Sequence, residues 1–418
     1  MLPLENRWYR RLLVVALLLG VGGGLSSLVF TSATNTGINF FFAGTGTGWW
    51  DGNWWWIVLT ALGGLVVAVL RKLWKVPKDV PGPVALAHEA WVNPAVILPW
   101  AIISAVSLIA GASLGPFFAF TVMGGGLGSW LASRLEKPDE EEAQHEYTLT
   151  GIAGGMGAAF SAPLFATILA SELSPTTKRN YVAAFIPQLF AATIGFVIYF
   201  GVTGSTILDS YALPAYEFQT FHLLIGALLG VLSALILIMF ALVKKLTSLA
   251  FTRLPNPLVA GVIGGALVGL IAFALPLTAN SGNSQLATEL QLSATMGAGF
   301  IAAILIAKMI AIAISQESGF MGGVVFASIF LGGTAGILVN AIFPAIPITL
   351  SVGAMLAAVP GAFFNAPVTL LLIAAGTIGI GPMALVPLGI AVVSSHITLA
   401  LLQNYVIRQR KLAMQESK

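Results

Sequence analysis

The side chains that do most enzyme chemistry are scarce in this chain of 418 residues. Cysteine is absent, which excludes thiol catalysis, thiolate zinc sites and iron–sulfur clusters. The four histidines, His88, His145, His222 and His396, share no spacing that would gather a metal. No nucleophile–base–acid set and no phosphate-binding glycine loop is visible, so neither an enzyme nor a resident cofactor or metal is expected. What recurs instead is a proline directly after a small residue within apolar runs: Gly115-Pro116, Ala162-Pro163 and Ala366-Pro367. Helix starts near such breaks present unpaired backbone N–H groups and about half a unit of positive charge. Helix starts aimed at one point hold an anion without burying a full cation, whose idealised transfer costs on the order of 20 kcal/mol. A bare small anion is the cargo this pattern suits.

The elements that position these breaks are apolar. Of the chain, 57% is apolar and only 8% charged, with a mean hydropathy of +0.93. Soluble domains carry about 25% charge. An all-α polytopic membrane protein is therefore expected. A crossing takes about 20 apolar residues, and candidate runs are 12–30, 54–73, 95–115, 117–133, 148–173, 181–202, 219–250, 256–276, 295–315, 322–343, 348–376 and 380–406. The first run reads as a retained helix, because many equally apolar runs follow it. Proline breaks and paired glycines are expected to interrupt several runs. Lipid cannot satisfy the freed backbone groups, so such breaks belong inside protein or along an aqueous path.

Basic residues sit at both ends, at 71–78, 134–137, 178–179 and 244–253, while 31–53, 203–220, 276–296 and 340–350 carry none. By the positive-inside rule both termini are cytoplasmic and the bare stretches external. The same rule explains the basic clusters better than nucleic-acid binding does. The acidic stretch 136–146, with Glu140-Glu141-Glu142, reads as a solvated loop or helix cap.

The halves repeat. Ala159-Phe160-Ser161-Ala162-Pro163-Leu164 parallels Phe363-Phe364-Asn365-Ala366-Pro367-Val368 at an offset of 204, and Gly124-Gly125-Gly126-Leu127-Gly128 parallels Gly332-Gly333-Thr334-Ala335-Gly336 at 208. The implied organisation is a cytoplasmic arm at 1–10, transmembrane repeats at 11–203 and 204–406, and a basic tail at 407–418. Transporters built from inverted repeats place discontinuous helices near the membrane midplane.

In this order the motifs resemble those of the CLC chloride channel and transporter family, over roughly residues 60 to 405. Gly111-Ala112-Ser113-Leu114-Gly115-Pro116 with the Gly124 run is similar to the family's first anion segment. Ser318-Gly319-Phe320-Met321-Gly322-Gly323-Val324-Val325-Phe326 is similar to the second. The resemblance implies broken helices in an inverted repeat, a homodimer in the lipid bilayer, and chloride or another small anion as cargo. It implies an anion site at Gly115, Pro116, Phe117, Phe118, Gly323, Val324, Val325 and Phe326. It also makes Tyr405 a candidate for the family's anion-contacting hydroxyl, with an interfacial belt tyrosine as the other reading.

The departures matter as much. The family's glutamate in the first anion segment falls at Leu114 or Phe117 here, and neither is an acid. The serine-bearing segment before it is replaced by Asp79-Val80-Pro81-Gly82-Pro83, where Asp79 is expected to cap a helix or meet Lys78. Gate candidates are Leu114, Phe117 and Glu317, with ordinary packing as the alternative for the phenylalanines and helix N-terminal capping for Glu317. Lys308, inside an apolar run, is expected to snorkel or to pair with an acid such as Glu317. Glu172 is expected to pair with Lys178. Together these features favour channel-like anion permeation without proton coupling. A chloride/proton antiporter using other acids, or a non-conducting assembly subunit, is the alternative.

Overall fold

The computed structural model describes residues 2–42, 52–77, 79–137, 140–160, 162–174, 181–208 and 210–416, with side chains as far as 405. Lys78, Asp139, Ser161, Lys178, the stretch 43–51 and the side chains of the basic tail lie outside the described residues.

The described chain is helical, with only one isolated backbone bridge outside the helices. Its first half holds α1 (Arg7–Phe42), α2 (Trp55–Leu73), α3 (Pro83–Glu89), α4 (Ile97–Ile109), α5 (Phe117–Leu135), α6 (Glu141–Gly157), α7 (Pro163–Leu173) and α8 (Tyr181–Thr203). The second holds α9 (His222–Phe251), α10 (Pro257–Ala274), α11 (Asn283–Leu292), α12 (Ala298–Glu317), α13 (Val325–Ile342), α14 (Ile348–Phe364), α15 (Pro367–Ile378) and α16 (Pro382–Glu416). Eight of these are long and apolar enough to cross a membrane.

Proline sets where many of them begin. Pro83, Pro163, Pro257 and Pro367 occupy the first turn of α3, α7, α10 and α15, where a missing N–H costs nothing. The long runs 148–173 and 348–376 are therefore each two helices. The glycine runs sit within helices. Gly124 to Gly128 lie inside an unbroken α5, and Gly332 to Gly336 inside an unbroken α13. A methyl on Gly124 would overlap the Gly151 carbonyl of α6, and one on Gly332 the Met355 carbonyl of α14. These glycines let helix backbones touch.

The halves agree in packing as well as order: α5 lies on α6 as α13 lies on α14, and α1 on α8 as α9 on α16. Leucines at 224, 228, 235 and 242 form one outward stripe on α9, while Ser27, Ser129, Thr148 and Thr334 are buried. Apolar outside and polar inside suits a lipid solvent.

Two expectations change. The bare stretch 31–53 is not all loop, because α1 runs on to Phe42. The segment 136–146 is not simply solvated: the Glu136 side chain and Glu146 are buried. Glu136 accepts from Arg11 at 3.3 Å and from the Tyr147 hydroxyl at 2.9 Å, tying α1 to the α5–α6 corner. At the ends, α1 begins at Arg7 and α16 runs to Glu416.

Candidate functional site

Two helices end in the same way, 208 positions apart. After α4, Gly111 turns left-handed at φ +92°, and after α12, Gly319 does so at +95°. Ala112 N–H reaches back to Ser107 O at 3.1 Å, and Phe320 N–H to Ser315 O at 3.1 Å. Glycine adopts this conformation without steric cost and so closes both helices. Four residues beyond each turn, the two strands of chain meet. Gly115 N–H donates to Gly323 O at 2.7 Å, and Gly323 N–H to Gly115 O at 2.8 Å.

Directly after this bridge the chain enters α5 on one side and α13 on the other. The bridge therefore sets two helix starts side by side, each with first-turn N–H groups that have no acceptor within the helix. Beside them lies a cavity of about 560 Å³, lined by Phe118 of α5, Gly322 and Val324 before α13, and Phe363 and Phe364 at the end of α14. Arg71 and His88 also line it, and among the described residues no Asp or Glu does. Arg71 Nη1 donates to Gly319 O at 2.8 Å and Nη2 to Pro77 O at 2.6 Å, which fixes the guanidinium at the wall. Two helix N-termini and one guanidinium bring positive charge here, opposed by Asp79, whose charge acts on Arg71.

Residues 79–400 match the voltage gated chloride channel family model. The chain belongs to this family.

Among CLC relatives, the uncharacterized protein MJ0305 of Methanocaldococcus jannaschii is 33% identical over 195 residues, covering 46% of this chain and 47% of that protein. The putative ion-transport protein YfeO of Salmonella typhimurium is 25% identical over 256 residues, 59% of each. The chain thus matches about half the length of these relatives. Among solved structures, a slow cyanobacterial Cl-/H+ antiporter superposes with a TM-score of 0.80 at 19% identity, covering 97% of this chain and 99% of that one. A CLC-type fluoride/proton antiporter gives 0.75 at 19% identity, covering 94% and 96%. The architecture is the CLC fold, an inverted repeat of broken transmembrane helices.

Within this CLC frame the residues named from sequence fall into place as follows. Gly115 and Gly323 form the bridge, with Pro116 between Gly115 and α5. Phe118 lines the cavity and stacks on Trp100, ring centres 5.8 Å apart. Phe117 is buried against Phe160, and Leu114 is buried with its Cβ crowding Gly322. Val324 lines the cavity, whereas Val325 and Phe326 are buried in the first turn of α13. Tyr405 stands on α16, 61% exposed, and is not among the lining residues.

The charged residues bring corrections. Glu317 is the last residue of α12 and does not line the cavity. Lys308 neither snorkels nor meets Glu317. It is fully buried, donates to Thr278 O at 2.9 Å and Asn280 O at 2.7 Å, and lies over the Phe330 ring. The acid whose charge acts on it is Glu289 of α11, held by the Thr334 hydroxyl at 2.6 Å. Glu172, at the end of α7, accepts from Val368 N–H at 2.8 Å, Thr369 N–H at 2.9 Å and the Thr369 hydroxyl at 2.6 Å. It caps α15 across the repeat boundary. Asp79 lies before α3 and its charge acts on Arg71, while Lys78 lies outside the described residues.

Arg71 itself escaped sequence reasoning, which read it only as one of a basic cluster setting topology. Its signal was slight: it is the innermost of that cluster, still within the apolar run.

Proposed function

We propose that this CLC protein moves chloride or another small anion across the membrane, passively and without proton coupling. The observation that carries this is the Gly115–Gly323 bridge, which sets the α5 and α13 starts together beside a cavity that has Arg71 on its wall and no carboxylate among its described lining residues. The anion is held by backbone N–H groups of the two first turns and by the positive potential around Arg71. Leu114 and Phe117, where the family pattern has its glutamate, do not titrate, so no proton is exchanged there. Phe118 narrows the path as an apolar constriction. The protein works as a homodimer in the cytoplasmic membrane, with both termini inside as the basic clusters require.

Proton coupling is the second reading, favoured by the buried Glu289 beside Lys308, with its Oε1 lacking a hydrogen-bond partner in the protein. Chloride efflux from liposomes under a potassium–valinomycin voltage, with internal pH recorded, separates the two. Efflux without proton movement is expected. Protons moving at a fixed ratio to chloride would replace the passive reading with the coupled one. No efflux of chloride, fluoride or nitrate from folded protein would overturn both in favour of a non-conducting subunit.

A further inference from the structure

The bridge between the repeats is reinforced by two serines that cross it. Ser107 on α4 donates its hydroxyl to Ile103 O at 2.7 Å and accepts the N–H of Met321 at 3.0 Å. Ser315 on α12 donates to Ala311 O at 2.7 Å and accepts the N–H of Ser113 at 3.0 Å. Both serines are fully buried. Ser107 and Ser315 are 208 positions apart, as are Ser113 and Met321, and as are Gly115 and Gly323. Each serine thus uses its proton within its own helix and its lone pair on the loop of the opposite half.

We infer that Ser107 and Ser315 are positioning residues for the anion site, each setting the helix start of the other repeat. Met321 lies four residues before Val325, where α13 starts, and Ser113 four before Phe117, where α5 starts. Between serine contact and helix start there is only the bridged glycine and its flanking residues. Fixing the loop at two points, the serine and the glycine, fixes where the first-turn N–H groups aim. Removing one serine oxygen leaves a buried N–H without its acceptor, and the loop shifts to find another. The donors displaced are then those of the opposite repeat. The inference rests on the anion-permeation reading above.

The test uses the full-length protein, with chloride affinity from titration calorimetry in detergent, chloride-over-nitrate selectivity in liposomes, and thermal stability. Ser107→Ala and Ser315→Ala are each expected to weaken chloride binding about tenfold, the size of one buried hydrogen bond, and to narrow selectivity. Ser107→Thr and Ser315→Thr, which keep the oxygen, restore both. Ser104→Ala is the control: Ser104 lies on the same helix, buried, and its hydroxyl has no partner. If the alanine variants do not fold, cysteine variants, slightly larger and of weaker accepting power, are read in the same way. Alanine variants with lowered thermal stability but wild-type affinity and selectivity would overturn the inference, as would equal effects from Ser104→Ala. A wild-type protein that carries no anion would instead fail the reading beneath it.

Discussion

Gly115 and Gly323 exchange both of their backbone hydrogen bonds, at 2.7 and 2.8 Å, although they come from opposite halves of the chain. This pair makes two distant loops a single object. A helix start offers its N–H groups usefully only if something holds it in direction, and here each start is held by the other. The same closeness leaves little room for a side chain, least of all at Gly323.

Gly323→Ala would put its methyl 2.8 Å from Phe117 Cβ and 2.9 Å from Phe118 N, on the α5 start itself. Gly115→Ala meets only the Phe326 side chain, at 3.1 Å. Overpacking of this kind costs about 1–3 kcal/mol. Gly323→Ala is expected to lower both melting temperature and chloride flux, and by more than Gly115→Ala. Equal or reversed effects in a thermal-melt and liposome-flux comparison would show that the bridge does not control the site.

Arg71 tests the electrostatic half of the site. Arg71→Gln removes the charge while keeping hydrogen-bond capacity, and Arg71→Lys keeps the charge but loses the planar fork that grips Gly319 O and Pro77 O. Chloride flux is expected in the order wild type, Arg71→Lys, Arg71→Gln, with the last down about tenfold or more, as hydrogen-bonded charges are worth about 1.5–3 kcal/mol. Wild-type flux in Arg71→Gln would remove Arg71 from the permeation site.

Glu172 and Thr369 act as one cap on α15. Glu172→Ala is expected to cost about 1–2 kcal/mol of stability, as loss of a helix cap does. Thr369→Val removes only the hydroxyl bond and costs less. Because they share a partner, the double variant is expected to cost less than the two single losses combined. Strict additivity in a double-mutant cycle of denaturation midpoints would contradict the shared cap.

Lys308 is a buried charge whose loss has two consequences. Lys308→Met leaves the carbonyls of Thr278 and Asn280 without their donor, and Glu289 without the nearby positive charge. Breaking such an arrangement from one side typically costs about 3–5 kcal/mol, whereas neutralising both partners is far milder. Glu289→Gln combined with Lys308→Met is therefore expected to melt at a higher temperature than Lys308→Met alone. The opposite order would show that the two charges are not coupled in the fold.

Much of this protein is legible in its sequence because lipid tolerates so little. Composition alone required membrane-crossing helices, since 57% apolar residues cannot be hidden in a soluble core of this size. Proline marked the helix starts, since its ring and missing N–H are tolerated in a first turn and not in most other places. The offset of 208 announced the repeat, and the structure keeps it residue by residue through Ser107, Gly111, Gly115 and Phe117. The resemblance of motifs led to the same family that residues 79–400 match.

What sequence could not decide was which residues meet. The Gly124 and Gly332 runs read as glycine-rich segments, but not as surfaces that meet the Gly151 and Met355 carbonyls. Lys308 had an acid nearby in sequence, Glu317, yet it donates to the carbonyls of Thr278 and Asn280, and the charge that acts on it is that of Glu289 on another helix. Glu172 faced a lysine six residues on in the sequence, but its described partners are the amides of a helix start nearly two hundred residues away. Arg71 read as a topological charge and lines the cavity instead. In each case periodicity and hydropathy constrain a residue only relative to its own helix, while the partner is set by how helices from the two halves cross. That is a property of the tertiary fold alone, and the Gly115–Gly323 bridge, where the starts of α5 and α13 meet, is where it matters most.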